Sequence, residues 1–214
     1  MIVSSISGRG GRLENLDCII NFQSRNGSRA VLVVDAYGCK QCDVERFTVM
    51  MEGFDFDGVS SASDLLARID VDFNIKMSVV CIAKINGVVS LSSIGDCRAY
   101  SESGELLTLD HTSAWDDLFA RGIEPARIAE LVKIHPGRRV LTRFLKFPKP
   151  LHVAEEVIIN CSDEKKYLLC SDGFWEHFSH SNLADLTSGV LSVEEVYNTL
   201  ASALDNYTAC IVRF

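Results

Sequence analysis

The chain has 214 residues, 47% of them hydrophobic and 23% charged, the balance of a globular protein large enough to bury a core without disulfide or metal staples. A formal net charge of −8 disfavours non-specific binding to nucleic acid or to an anionic membrane. The opening Met1-Ile2-Val3-Ser4-Ser5-Ile6 lacks the basic region and apolar core of a secretory signal, and no run is apolar enough to span a bilayer. Eight cysteines are scattered along the chain, and Cys81, Cys170 and Cys210 fall inside apolar runs. There a reduced thiol packs as a small apolar group, so a reduced, cytoplasmic protein is expected.

In chain order, strand patterns fall at 2–6, 17–23, 30–35, 77–85, 88–94, 98–101, 106–110, 153–159, 166–171 and 208–214. Arg25-Asn26-Gly27-Ser28, Ile85-Asn86-Gly87 and Glu102-Ser103-Gly104 read as hairpin connections. Helical spacing appears at 43–52, with Val44, Phe47 and Met51 on one stripe, and at 61–69. Residues 112–133 read as a long, partly broken helical excursion. Ser192-Val193-Glu194-Glu195 forms a capping box opening a helix over 193–204. Hairpins outnumber βαβ crossovers, and no linker or repeat interrupts residues 1–214. The pattern predicts one α+β domain of antiparallel sheets packed on each other and covered by helices. Cys39-Lys40-Gln41-Cys42 has no second ligand pair at zinc spacing and reads as two thiols opening a helix.

Asp17, Asp35, Asp96, Asp172 and Asp205 stand at or near the edges of apolar strand runs. A carboxylate so placed has its backbone fixed by a sheet while its head enters a loop-lined cleft. Several in one cleft would repel one another unless cations sat between them. An all-oxygen donor set suits magnesium or manganese. The chain therefore reads as a candidate metal-assisted phosphoryl enzyme.

The polar signatures, in order, are Arg12-Leu13-Glu14-Asn15-Leu16-Asp17, Val34-Asp35-Ala36-Tyr37-Gly38, Ile94-Gly95-Asp96-Cys97-Arg98-Ala99-Tyr100, Thr108-Leu109-Asp110-His111, Cys170-Ser171-Asp172-Gly173-Phe174-Trp175-Glu176 and Leu204-Asp205-Asn206-Tyr207-Thr208. Each alone is more often a turn or cap than a site. Together, from about Gly8 to Phe214, they resemble the metal-dependent serine/threonine protein phosphatases of type 2C, the PPM family, in its bacterial form. The resemblance implies a central β-sandwich flanked by helices in four αββα layers. It implies two manganese or magnesium ions, with Asp35 bridging both, the Ala36 carbonyl on one, and Asp172 and Asp205 on the other. Asp17 would orient metal-bound waters, and Arg12 would grip the substrate phosphate through its planar fork. Asp96, with Asp172 and Glu176 as neighbours, resembles a weaker third metal site. The implied reaction is direct attack of a metal-bridging water on phosphoserine or phosphothreonine of a protein that a cognate serine/threonine kinase has phosphorylated.

The chain also departs from the family pattern. Ala36 stands where glycine is usual, Tyr37 where some members carry histidine, and Leu16 where glutamate commonly precedes the aspartate. These changes keep a second reading open, a pseudophosphatase of the same fold that binds a phosphoprotein or regulator without turnover. Residues 113–147 match the family's flap, which shapes protein-substrate access. Arg138, Arg139 and Arg143 within it read as a solvated basic face.

Overall fold

The computed structural model describes residues 2–148, 152–159 and 165–214. Its strands are β1 (Ile2–Gly8), β2 (Asp17–Gln23), β3 (Arg29–Tyr37), β4 (Ile75–Ile85), β5 (Val88–Ile94), β6 (Arg98–Ser101), β7 (Leu145–Phe147), β8 (Glu155–Ile159), β9 (Lys166–Cys170) and β10 (Tyr207–Arg213). The helices are α1 (Gln41–Glu52), α2 (Ala62–Ala67), α3 (Ser113–Ala120), α4 (Pro125–Leu131), α5 (Asp172–Trp175), α6 (His180–Ser188) and α7 (Val193–Leu200). One sheet runs β1-β10-β9-β6, and the other runs β2-β3-β4-β5-β8 with β7 beside β4. The pairings within both sheets are antiparallel.

Strand β3 shows why the layers form. Successive strand residues point to opposite faces. Ala30, Leu32 and Val34 therefore join Val44, Phe47 and Leu65 of α1 and α2 in one apolar layer. Val31 and Val33 point the other way and meet Leu169 and Val212 of the facing sheet. A third layer packs α3, α4, α6 and α7 on the outer face of the β1-β10-β9-β6 sheet through Trp115, Ile128, Leu183 and Val196. A strand covered on both faces must read as a near-continuous apolar run, as 30–34 does. Each fully buried valine or leucine contributes roughly 1.5–3 kcal/mol relative to exposure. The result is the expected α+β arrangement with two antiparallel sheets flanked by helices.

Ser192 caps α7 and Glu195 returns the bond, as the capping box predicts. Asn86 (φ 51°) and Gly87 (φ 82°) turn the β4–β5 hairpin in left-handed backbone. Elsewhere the sequence expectations need correction. Residues 106–110 are not a strand. Leu106 makes only an isolated bridge to Tyr100, and Asp110 is drawn off to Arg98. The excursion at 112–133 breaks into α3, α4 and a 3-10 turn (Val132–Ile134), because Gly122 turns the chain at φ 77° and Pro125 starts α4. Strand β7 and helices α5 and α6 lie outside the sequence expectations, and α7 stops at Leu200 rather than 204. Among the described residues no helix is long and apolar enough to cross a membrane.

Candidate active site

At one end of the sandwich the inter-sheet layer changes from apolar to polar, and period-2 alternation dictates which residues arrive there. On β3 the inward series Val31, Val33 ends at Asp35. On β2, Ile19 is followed outward by Asp17, which lies directly across from Asp35. On β4, Val80 gives way to Ser78, the next cross-strand partner of Asp35. On the facing sheet, Leu169 is followed by Ser171 and Cys210 is preceded by Thr208. The two sheets meet here through hydroxyls. Ser171 Oγ donates to Asp17 Oδ2 at 2.7 Å and accepts from the Thr208 N–H at 3.0 Å.

Loops add the remaining groups. Gly95, at φ 96°, lets the β5–β6 turn press onto Ser78, since a Cβ there would stand 2.2 Å from Ser78 Oγ. That hydroxyl accepts from the Asp96 and Cys97 N–H groups at 2.7 and 2.8 Å. Trp175 Nε1 donates to the Asp96 carbonyl at 2.9 Å. Beneath the turn, Arg98 stacks over the Trp175 ring at 3.5 Å and forks onto Asp110 at 2.8 and 2.7 Å. His111 Nδ1 lies 3.0 Å from the Gly95 N–H and 3.2 Å from the Gly95 carbonyl, which pins the ring against the turn. Asp172 opens the short α5, and Gly173 behind it packs so tightly that a Cβ would lie 1.9 Å from the Asn206 carbonyl. Asn206 binds the 9–16 loop at three points, accepting from Leu16 N–H and donating to the Arg9 and Glu14 carbonyls. That loop carries Arg12, whose guanidinium forks onto Asp205 at 2.8 and 2.7 Å.

Asp35, Ala36, Asp96, Asp172, Asp205 and Arg12 thus line one cavity of about 920 Å³. Asp17 sits just behind its wall, 6% exposed. The carboxylates feel one another. Burial, then the charges of Asp17 and Asp172, hold the Asp35 carboxyl well above the usual range. Burial and the Asp172 charge do the same to Asp96. Burial pushes Asp17 up to about 7 against the opposing Ser171 hydrogen bond, with the Asp172 charge adding to the rise. Burial, Glu176 and Asp205 push Asp172 up to about 7. Asp205 differs: burial opposes its charged form, but the Arg12 hydrogen bonds and charge prevail and hold its carboxyl below the usual range.

Divalent cations fit this chemistry. The donors are all oxygen, they outnumber the cationic side chains of the cavity, and the buried Oδ1 atoms of Asp17 and Asp96 have no hydrogen-bond partner. Among the described residues no three acidic, imidazole or thiol groups stand together as a metal-holding set. Arg12 takes both oxygens of Asp205.

Several sequence expectations change at this site. Glu176 is engaged by Arg138 at 2.9 Å, and its charge also acts on Asp172. The basic face is not simply solvated: Arg138 ties to Glu176, Arg143 to Glu155, and Arg139 enters the cavity wall. Ala36 stands in extended strand with no positive φ, so alanine carries no strain there. Leu16 packs against the apolar layer under β2. The Tyr37 hydroxyl is buried without a partner, and burial with the Asp96 charge raises its pKa further. Ser78, Asp110, Trp175 and Asn206 act as positioning groups; the last three lie within the polar signatures without a role there. The signal for Ser78 was a lone hydroxyl in the apolar run Met77–Ile85, which a doubly buried strand tolerates only with a partner.

Two face-to-face antiparallel sheets between helices, with an acidic mouth, define a class: the PPM-type serine/threonine phosphatase fold. Known structures agree. Stp1, a serine/threonine phosphatase of Staphylococcus aureus, superposes with TM-score 0.76 at 18% identity, over 100% of this chain and 95% of its own. MsPP, a PPM phosphatase of Mycobacterium smegmatis in complex with cacodylate, gives 0.72 at 19%, over 100% and 99%. The catalytic domain of PstP, in complex with two manganese ions, gives 0.68 at 19%, over 97% and 95%. No family model and no curated protein matches the chain at the level of sequence.

Proposed function

We propose that the chain is a manganese- or magnesium-dependent phosphatase that hydrolyses phosphoserine and phosphothreonine in proteins. The observation that supports this reading best is the gathering of Asp35, Asp96, Asp172, Asp205 and Arg12 around one cavity in a fold shared with such phosphatases. Asp35 and the Ala36 carbonyl would hold one ion, Asp35, Asp172 and Asp205 the other, and Asp96 would serve a third. Bound there, the ions would neutralise phosphate charge and acidify water for hydrolysis. Asp17, fixed by Ser171, would orient that water. Arg12 would move its fork from Asp205 to the substrate phosphate, since carboxylate and phosphate offer it the same bidentate geometry. Tyr37 keeps its proton too tightly to be an efficient general acid. The substrate would be a protein phosphorylated by a serine/threonine kinase.

Turnover of a phosphothreonine peptide, with manganese against EDTA, tests this. Manganese-dependent hydrolysis that Asp35→Asn and Asp172→Asn abolish is expected. Folded protein with no such turnover would end the enzymatic reading. A pseudophosphatase is then favoured by one observation, the commitment of both Asp205 oxygens to Arg12.

A further inference from the structure

Arg12 and Arg139 come from distant parts of the chain and converge on one atom. Arg12 Nη2 lies 2.7 Å from Asp205 Oδ2, and Arg139 Nη2 lies 4.0 Å from the same oxygen. The residues on both sides of Arg139 are tied down. Arg138 is tied to Glu176 at 2.9 Å, and the Val140 carbonyl accepts from the Ser113 N–H at 2.8 Å. The Arg139 side chain itself is 52% exposed, and at 4.0 Å its contact with Asp205 is at the outer limit of an ion pair. So exposed a pair contributes little stability, so stability does not account for its position. Its charge also reaches Asp172.

An anion between two like-charged forks relieves their repulsion. Asp205 is that anion here. In the function proposed above Asp205 binds a cation, and both guanidiniums then lose their partner while still facing the cavity. A phosphate, with more oxygens and more charge than a carboxylate, can accept from both forks at once. We propose that Arg139 is a second anion-binding arginine, forming with Arg12 a two-armed clamp on the phosphate of the substrate. The identity of that substrate rests on the phosphatase reading; the clamp itself does not require turnover.

The test is calorimetric. Inorganic phosphate is titrated into magnesium-loaded protein, and manganese is titrated separately into metal-free protein. Arg139→Met, which keeps the apolar stem, should weaken phosphate about tenfold, and Arg139→Lys should recover part of that loss. Manganese affinity should hold or tighten in Arg139→Met, because a competing cation has gone. Unchanged phosphate affinity in Arg139→Met overturns the clamp. So does an equal loss of phosphate and manganese affinity, which would mean that Arg139 only holds the flap. A loss confined to phosphopeptides with acidic flanking residues, with inorganic phosphate unaffected, also overturns it, in favour of side-chain reading. Wild-type protein that binds phosphate but never hydrolyses a phosphopeptide would sink the phosphatase reading and leave the clamp standing. Wild-type protein that binds no phosphate would sink both.

Discussion

The Arg98–Asp110 pair supports the turn that carries Asp96, and its removal should be severe. Both side chains are sealed from solvent, 0% and 1% exposed. The guanidinium makes two bonds to Asp110 at 2.8 and 2.7 Å and further bonds to the Tyr100 hydroxyl at 3.0 Å and the Ala129 carbonyl at 3.3 Å. Asp110→Ala leaves that cation buried with neutral partners only, a change that costs about 3–5 kcal/mol. Against a total stability of about 5–15 kcal/mol, the loss is a large fraction. The double variant Arg98→Met/Asp110→Leu removes both charges and fills the space, so it should regain most of the stability. Urea unfolding of wild type, both single variants and the double variant closes the cycle. A loss under about 1 kcal/mol for Asp110→Ala, of the size seen for exposed pairs, would refute the reasoning. Because Arg98 stacks on Trp175, and Trp175 holds the Asp96 carbonyl, the single variants should also loosen the Asp96 turn.

Other outcomes follow from the same geometry. In EDTA, Asp17→Asn should match wild type near pH 4 and become more stable as pH rises. Burial raises the Asp17 pKa to about 7, so the native state holds its proton more tightly than the unfolded chain. Stability is then lost between the unfolded value and about pH 7, about 4 kcal/mol in total; a difference that stays flat or reverses across a urea series at several pH values would contradict this. Ser78→Ala strands the buried Asp96 and Cys97 N–H groups and should cost about 1–3 kcal/mol in urea unfolding. Gly173→Ala drives a methyl to 1.9 Å from the Asn206 carbonyl. It should destabilise by about 1–3 kcal/mol and weaken manganese binding through displaced Asp172.

Much of the fold was legible in the sequence because the strands are buried on both faces. Runs such as Ala30 to Val34 admit few other readings, and the boundaries expected for β2, β5 and β6 match those found. Short elements were not legible. Strand β7 has three residues and α5 four, too few to show a period. Residues 106–110 alternate like a strand, yet their polar members are consumed by the neighbouring turn: Thr108 bonds Ala99, and Asp110 bonds Arg98. At the site, the aspartates announced themselves by standing at or near the ends of apolar strand runs. The partnerships among them did not. That Arg12 would lie on Asp205, or that Arg139 would reach the cavity while Arg138 and Arg143 pair with Glu176 and Glu155, depends on loop paths that no local pattern encodes.

The most direct measurement is manganese titration of metal-free protein near pH 6.5, in two buffers of different ionisation enthalpy, alongside Asp35→Asn. Carboxyls held protonated by burial and mutual repulsion must give up protons as cations enter. We expect saturable binding, proton release that differs in heat between the buffers, and loss of both in Asp35→Asn. Manganese that binds without releasing protons, or equally well to the variant, or not at all, would contradict a cation centre at the mouth of the sandwich.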